Sequence, residues 1–220
     1  MKTLLKLILL PVALLIAGCS DEPEGTSKQL CESIVSFVGN EEGMVVFEYQ
    51  EVDDSPMITL KAQGKLVDKR VKNGTRLLLR YTMPTGVDPS VGGEIGFVGL
   101  KLPLADTVST VTKAPETLGA ISLTTIERTG EHINLTAQMP NVKEREITIV
   151  TAEEPLAADG IADLYIASRV EEESTTYETH TVASLWIGPV WSREEVKGVR
   201  VHINNSNNPY RNEFTFLKKR

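Results

Sequence analysis

Apolar and polar residues alternate along most of the chain after residue 30, and this period-two pattern restricts the possible folds more than any other feature. Val45 and Phe47, for example, would share one face of a strand, and residues 133–139 repeat the same alternation. Turn-forming pairs such as Asn73-Gly74 separate these stretches. Since successive side chains of a strand point to opposite faces, the pattern predicts an all-β protein.

The first group of strands is predicted to form a barrel. Its five strands are expected at residues 33–38, 44–50, 58–62, 76–83 and 94–102. The last one changes its apolar register near Gly99, from Ile95 and Phe97 to Leu100 and Leu102. A glycine at such a change indicates a bulge or a sharp bend. Five short strands with a bent last strand are typical of a small closed barrel of the OB type, here residues 31–112.

A second group of strands follows a mixed polar stretch at residues 103–115, which is the best domain boundary. About seven strands are expected between residues 113 and 220, with turns at regular spacing. A capping-box spacing at residues 192–195 predicts no more than one or two helical turns. Many short strands with regular turns favour an antiparallel β-sandwich for this second domain.

The N-terminus carries a short apolar run. Residues 7–16 are apolar, follow two lysines and lead into Ala17-Gly18-Cys19. The run is well below the roughly 20 apolar residues that a membrane-spanning helix needs, so residues 1–18 are predicted to be a secretory signal peptide. Small residues running into a cysteine resemble the lipobox of bacterial lipoproteins. The resemblance implies cleavage before Cys19 and acylation of that residue; a chance cysteine after an ordinary signal is the alternative.

Residues 19–30 are predicted to be an acidic tether to the membrane. Ser20 occupies the position where an inner-membrane retention signal typically has aspartate, and Asp21, Glu22 and Glu24 follow. Both features favour the outer membrane, and two or more acyl chains make a stable anchor. We therefore expect an outer-membrane protein whose membrane partner is its own covalent lipid. Acidic residues after the lipidated cysteine also resemble a signal for export to the outer surface, although a solvated tether is the simpler explanation.

The charge of the chain argues against nucleic acid as a partner, and its cysteine content argues against a disulfide. The chain has a formal net charge of −7, which argues against nucleic acid, because affinity for phosphates comes from clustered Lys and Arg. The local basic group Lys69, Arg70, Lys72 and Arg76 is predicted to be the solvated edge of a strand pair. Lipidation leaves Cys31 without a partner, so no disulfide and a small buried thiol are expected.

No motif points to a catalyst, a cofactor or a metal. His132, His180 and His202 are isolated, and no pair of them has ligand spacing. A Gly-x-Ser-x-Gly elbow is absent, and the acidic turns lack the alternating order of a calcium loop. We therefore expect a protein that is not an enzyme and that carries no metal; a spatial Ser-His-Asp site has no positive support.

The tryptophans are the most informative local feature. Trp186 and Trp191 flank residues 187–190, and Tyr210 lies in the final hairpin. Exposed aromatics would form a platform for a sugar or a peptide, whereas buried aromatics would fill the sandwich core. Trp186 lies on the strand face opposite Leu185 and Ile187, so the sequence leaves open which face is core.

The order of these parts resembles the NigD-like family of bacterial lipoproteins. Residues 73–82, Asn-Gly-Thr-Arg-Leu-Leu-Leu-Arg-Tyr-Thr, are similar to the fourth barrel strand of that family. Residues 182–187, the polar turn at 192–197 and the strand at 199–203 are similar to its C-terminal pattern. The resemblance implies an N-terminal OB-like barrel and an immunoglobulin-like antiparallel sandwich, with a family function that is itself poorly defined.

The sequence thus predicts a non-enzymatic, outer-membrane lipoprotein that binds or scaffolds a glycan or another envelope protein. The alternative is a structural accessory subunit of a surface assembly, such as a fimbria-like or nutrient-uptake complex. A groove with exposed aromatics would favour glycan binding, whereas a long unpaired edge strand with an apolar patch would favour assembly. A hydrolase would require convergent titratable groups in a deep pocket.

Overall fold

The computed structural model describes residues 27–142, 145–153, 156–170 and 177–219. Cys19, the signal peptide and most of the predicted tether lie outside these ranges. The prediction of an all-β protein is confirmed, since the residues within these ranges form fourteen strands, one 3-10 turn, Pro89–Val91, and one α-helical turn, α1, Gly188–Trp191. Within the described ranges, no helix has the length and apolar character needed to cross a membrane.

The first five strands close into a barrel. They are β1 (Lys28–Glu41), β2 (Met44–Tyr49), β3 (Ile58–Gln63), β4 (Arg76–Pro84) and β5 (Gly93–Lys101). The strand order is β1-β2-β3-β5-β4, and β4 pairs back onto β1. All of these pairings are antiparallel except the one between β3 and β5. Because β1 already begins at Lys28, the last three residues of the predicted tether belong to the barrel.

The barrel core follows the alternation in the sequence. Phe47, Leu60, Leu77 and Tyr81 are buried in one cluster. The predicted irregularity near Gly99 is present, since Tyr81 faces Phe97 while Arg80 faces Gly99, which leaves one extra residue in β5. Phe97 is 51% exposed rather than inside beside Ile95, because a bulge re-aims the side chains next to it.

The remaining strands form two sheets. They are β6 (Leu104–Thr107), β7 (Ser109–Val111), β8 (Ser122–Thr129), β9 (His132–Pro140), β10 (Arg145–Ala152), β11 (Ile161–Val170), β12 (Glu178–Trp186), β13 (Gly198–Ile203) and β14 (Glu213–Leu217). One sheet has the order β14-β13-β11-β10-β7, and the other has the order β6-β12-β9-β8. Residues from both sheets, such as Leu135, Leu185, Leu164 and Val201, meet in a single buried cluster, so the sheets pack face to face.

These sheets are mixed, which corrects the prediction of a purely antiparallel sandwich. β6 pairs with β12, β7 with β10 and β11 with β13, each in parallel. β6 and β7 lie in the stretch that the sequence assigned to a domain boundary, yet each adds a strand to one of the two sheets. Parallel neighbours require long crossover connections, so these partners are far apart in the chain and local patterns do not reveal them.

Candidate functional site

The barrel and the four-stranded sheet meet along a polar interface, here called the seam, that contains Asp53, Asp54, Arg76, Arg128 and His132. Asp53, in the loop after β2, pairs in parallel with Thr129 at the end of β8. Its N–H donates to the Arg128 carbonyl at 2.6 Å, and its carbonyl accepts from the Gly130 N–H at 2.9 Å. The barrel loop therefore continues the sheet for one residue pair.

Arg128 fixes this joint from the sheet side. Its side chain is fully buried and donates to both carboxylate oxygens of Asp54, each at 2.9 Å, and to the Gly130 carbonyl at 2.6 Å. The guanidinium carbon also lies 4.2 Å from the ring centroid of Trp191. A bidentate carboxylate is the arrangement that best compensates a buried guanidinium, so the joint is held by charge as well as by backbone pairing.

Arg76 joins the two bodies at a second point. Its Nε donates to Ser184 Oγ at 3.2 Å and its Nη1 donates to Ser36 Oγ at 3.0 Å. Its Nη2 reaches Thr129 Oγ1 at 3.4 Å. These hydroxyls belong to β12, β1 and β8. The prediction that Arg76 lies on a solvated strand edge is therefore wrong, although Arg70 of the same basic group is well exposed and pairs with Asp68.

The seam shifts the titration of its ionisable groups because it removes them from water. Burial lowers the pKa of Arg76 to about 10, with Glu127 acting in the opposite direction. Burial and the charge of Arg76 lower the pKa of His132 to about 4, against a smaller effect of Glu131. Burial also raises the pKa of Glu127, and Arg76 counteracts this. His132 is consequently neutral at pH 7, while Arg76 remains a cation.

On one side of the seam lies a cavity of about 460 Å³, here called the Trp186 groove. Its lining includes Trp186, Arg76, His132, Ser184, Asp106 and Leu102. The indole of Trp186 is 42% exposed, and its Nε1 donates to Glu131 Oε2 at 3.2 Å. A side-chain carbon on Gly188 would lie 2.5 Å from the indole ring. The indole is thus hydrogen-bonded to Glu131 and occupies the space that the absent side chain of Gly188 leaves open.

A second cavity, the Tyr49 groove, has a volume of about 440 Å³. Tyr49, Tyr81, Cys31 and Glu127 contribute to its lining. The Tyr49 hydroxyl donates to the Pro89 carbonyl at 3.1 Å, and burial raises the pKa of this hydroxyl. Cys31 is a free thiol and is half-buried rather than fully enclosed as the sequence predicted. The lining of the Tyr49 groove contains more carboxylates than that of the Trp186 groove.

The structure does not bring the three predicted platform residues to one surface. Trp191 is 8% exposed and belongs to the sandwich core, whereas Tyr210 is 99% exposed. Trp186 faces His132 across the strand pair, next to the Thr129 end of β8. The loop that carries Tyr210 contacts the opposite end of β8, where Asn207 donates to the Leu123 carbonyl at 3.0 Å. Of the three, Trp186 is the one that is partly exposed and that lines a groove together with polar side chains.

The histidines also remain apart. His132 lies in the seam on β9, His180 is exposed on β12, and His202 lies on β13 in the other sheet. His202 stacks on Tyr165 and contacts Asp163 Oδ1 at 2.6 Å. In the part of the chain that the structure describes, no three His, Cys, Asp or Glu side chains are arranged to hold a metal ion.

Comparison with known proteins identifies solved structures that share the fold. No protein-family model and no curated protein matches the chain. Solved structures do match over most of its length. A Bacteroides vulgatus protein of unknown function shares 14% identity over 87% of this chain and 91% of its own, with a TM-score of 0.60. A NigD-like immunity protein from Bacteroides caccae shares 12% identity over 87% of this chain and 97% of its own, with a TM-score of 0.57.

A third match is a candidate lipoprotein from Bacteroides fragilis, which is 13% identical over 86% of this chain and 96% of its own, with a TM-score of 0.53. Identities at this level establish a shared fold and nothing further. At the level of the fold, the matches support the resemblance to NigD-like proteins that the sequence suggested.

Proposed function

We propose that the protein is a non-enzymatic lipoprotein, anchored in the outer membrane through acylated Cys19, that binds a glycan in the Trp186 groove. The observation that carries this proposal is the position of Trp186. Its half-exposed indole donates to Glu131, packs against Gly188 and lies beside several polar side chains of the groove. Small-molecule sites combine aromatic walls with a few well-placed polar groups. Sugar rings fit this combination, because they have an apolar face and hydroxyls at their edges.

The anchoring part of the proposal is supported by the lipobox at Cys19 and by the fold shared with a candidate Bacteroides lipoprotein. The neighbour from Bacteroides caccae is described as a NigD-like immunity protein. Exposure on the cell surface, for which the acidic residues after Cys19 resemble an export signal, belongs to the same proposal.

The fold is proposed to combine an OB-type barrel with an immunoglobulin-like sandwich. The closed five-stranded barrel with one parallel pair supports the first assignment, and the two face-to-face sheets support the second. The division at residues 31–112 and 113–220 is proposed to move to the end of β5, because β6 and β7 pair only with strands of the two sheets in the described part of the chain.

The accessory-subunit alternative depends on a free sheet edge, and the longest edge strand of the two sheets does not offer one. β8 pairs with Asp53 at its Thr129 end. At its other end, Ile121 pairs with Asn205, and Asn205 Oδ1 accepts from the Leu123 N–H at 3.4 Å. Partners at both ends of β8 shorten the edge that another chain could extend, which favours ligand binding over the accessory-subunit alternative.

A glycan and envelope-protein array probed with the full chain in detergent micelles tests the proposal. We expect at least one glycan class to bind, the Trp186→Ala variant to lose that binding, and Tyr210→Ala to retain it. Tyr210 is a suitable control because it is an exposed aromatic far from the groove. If no glycan binds and an envelope protein does, the assignment of a sugar ligand is overturned.

A further inference from the structure

We infer that the Trp186 groove recognises a carboxylate-bearing sugar, such as a hexuronate, and that Arg76 binds its carboxylate. This inference rests on the proposed glycan-binding function and specifies its ligand class.

Arg76 forms no direct ion pair with a carboxylate of the described residues. A guanidinium has five N–H donors, and the contacts to Ser184, Ser36 and Thr129 use three of them. Hydroxyls carry no charge. Among the described residues, no carboxylate oxygen forms an ion pair with Arg76 within 4.0 Å. Arg128, by contrast, is matched by the Asp54 carboxylate. The charge of Glu127 acts on Arg76 from beyond ion-pair distance and is outweighed by burial. A cation withdrawn from water with so little compensation favours an anionic ligand.

Arg76 can be reached from solvent. It lines the Trp186 groove and also a smaller cavity of about 210 Å³. His132 lines both cavities as well. As a neutral imidazole at pH 7, His132 adds no charge beside Arg76 and offers one donor and one acceptor to sugar hydroxyls.

The groove also offers surfaces for the sugar ring itself. The exposed face of Trp186 supplies the apolar wall, and the exposed Thr107 supplies a hydroxyl in the same groove. Asp106 is the one carboxylate among the lining residues described for this groove. Its Oδ2 accepts from the Ile149 N–H at 2.9 Å, which orients the group toward β10. The volume of about 460 Å³ lies within the roughly 300–1,000 Å³ usual for small-molecule sites.

Calorimetric titration of the full chain in detergent micelles with a hexuronate trisaccharide and with its methyl ester tests the inference. The ester keeps the rings and removes the charge. We expect the acid to bind at least about tenfold more tightly than the ester, as is typical for a hydrogen bond to a charged group. Arg76→Gln is expected to abolish this preference. Arg80→Gln, an exposed arginine of the same strand that pairs with Glu32, is expected to retain it.

The outcomes separate the inference from the function on which it rests. Equal binding of acid and ester by the wild-type chain would overturn the role of Arg76 and leave glycan binding intact. Binding of neither sugar class, on this titration and on the array, would overturn both. The comparison of acid with ester uses the wild-type protein, so the inference can be tested even if Arg76→Gln does not fold.

Discussion

Two arginines of the seam differ in what compensates their charge. Arg128 is fully buried and receives a bidentate carboxylate from Asp54. Arg76 is less deeply placed and receives only hydroxyls from three strands. Removing one partner of a buried ion pair is costly, because the other charge remains unpaired. The first arginine is therefore suited to hold the two bodies together, and the second is suited to bind a ligand.

Asp54→Asn is expected to destabilise the protein by about 2 kcal/mol, since it removes the counter-charge of Arg128 while solvent reaches Asp54 and softens the loss. Asp53→Asn is the matched control. The Asp53 carboxylate lies 3.5 Å from Arg128, and asparagine tolerates the positive φ of 50° at this position. We expect the control to cost less than about 1 kcal/mol. Urea unfolding measures both, and equal losses would contradict the assigned role of Asp54.

The pKa of His132, lowered to about 4 from an ordinary value of 6.5, makes stability depend on pH. Between these values the unfolded chain binds a proton that the folded chain resists, so stability is lost as pH falls from about 6.5 to about 4. His132→Gln should remove about 2 kcal/mol of this loss, after allowance for partial exposure of the ring. Urea unfolding at several pH values measures it, with the exposed His180→Gln as control. Parallel pH profiles for wild type and His132→Gln would refute the prediction.

The burial of these side chains could not be predicted from the sequence. Asp54 lies 74 positions from Arg128, and Ser184 lies 108 positions from Arg76. Within its own strand, each arginine occupies a position where a solvated charge would also fit. Whether such a side chain meets water or another domain depends on how the barrel sits against the sheet, which is set by contacts between distant segments.

At the level of single elements, the prediction succeeded where the pattern is local. All five barrel strands follow from alternation and turn residues, and the register change near Gly99 correctly indicated a bulge. β6 and β7 were missed because they have only four and three residues and pair with distant strands. The structure also shows which face of β12 belongs to the core. Leu185 and Ile187, the residue after the strand, are buried, whereas Trp186 is partly exposed.

Gly188→Ala is expected to displace the Trp186 indole, because the new methyl group would lie 2.5 Å from the ring. Overpacking of this kind typically costs about 1–3 kcal/mol, and loss of the bond to Glu131 should also weaken glycan binding. Gly99→Ala is the control, since no atom lies within 4 Å of its added carbon. Urea unfolding and tryptophan fluorescence report the two effects. An unchanged fluorescence spectrum with unchanged affinity would show that Gly188 does not position Trp186.

For the whole molecule, composition and pattern were sufficient to predict an all-β chain in which a barrel precedes packed sheets. The seam between them was not predictable, because an interface between two bodies leaves no periodic pattern in either. The site proposed here lies at that interface and is built from both bodies: Arg76 comes from the barrel, whereas His132 and Trp186 come from the sheet.

Attachment of the whole molecule to the membrane is expected to depend on a single residue. Cys19→Ala should abolish labelling by a radioactive or clickable fatty acid and release the protein from the membrane fraction. Cys31→Ala is the matched control, as it removes the other cysteine of the chain and should leave labelling intact. Membrane retention and labelling that persist in Cys19→Ala would disprove the lipoprotein assignment.

The segment that leaves the barrel and at once supplies β6 and β7 also determines the order in which the chain can fold. Synthesis proceeds from the N-terminus, and all five barrel strands lie within residues 28–101, so the barrel can close with strands of its own. β6 and β7 must wait for β12 and β10, which come much later in the chain. The barrel can therefore form before either sheet is complete, and the two segments that follow it stay without their strand partners until the distant β10 and β12 are in place.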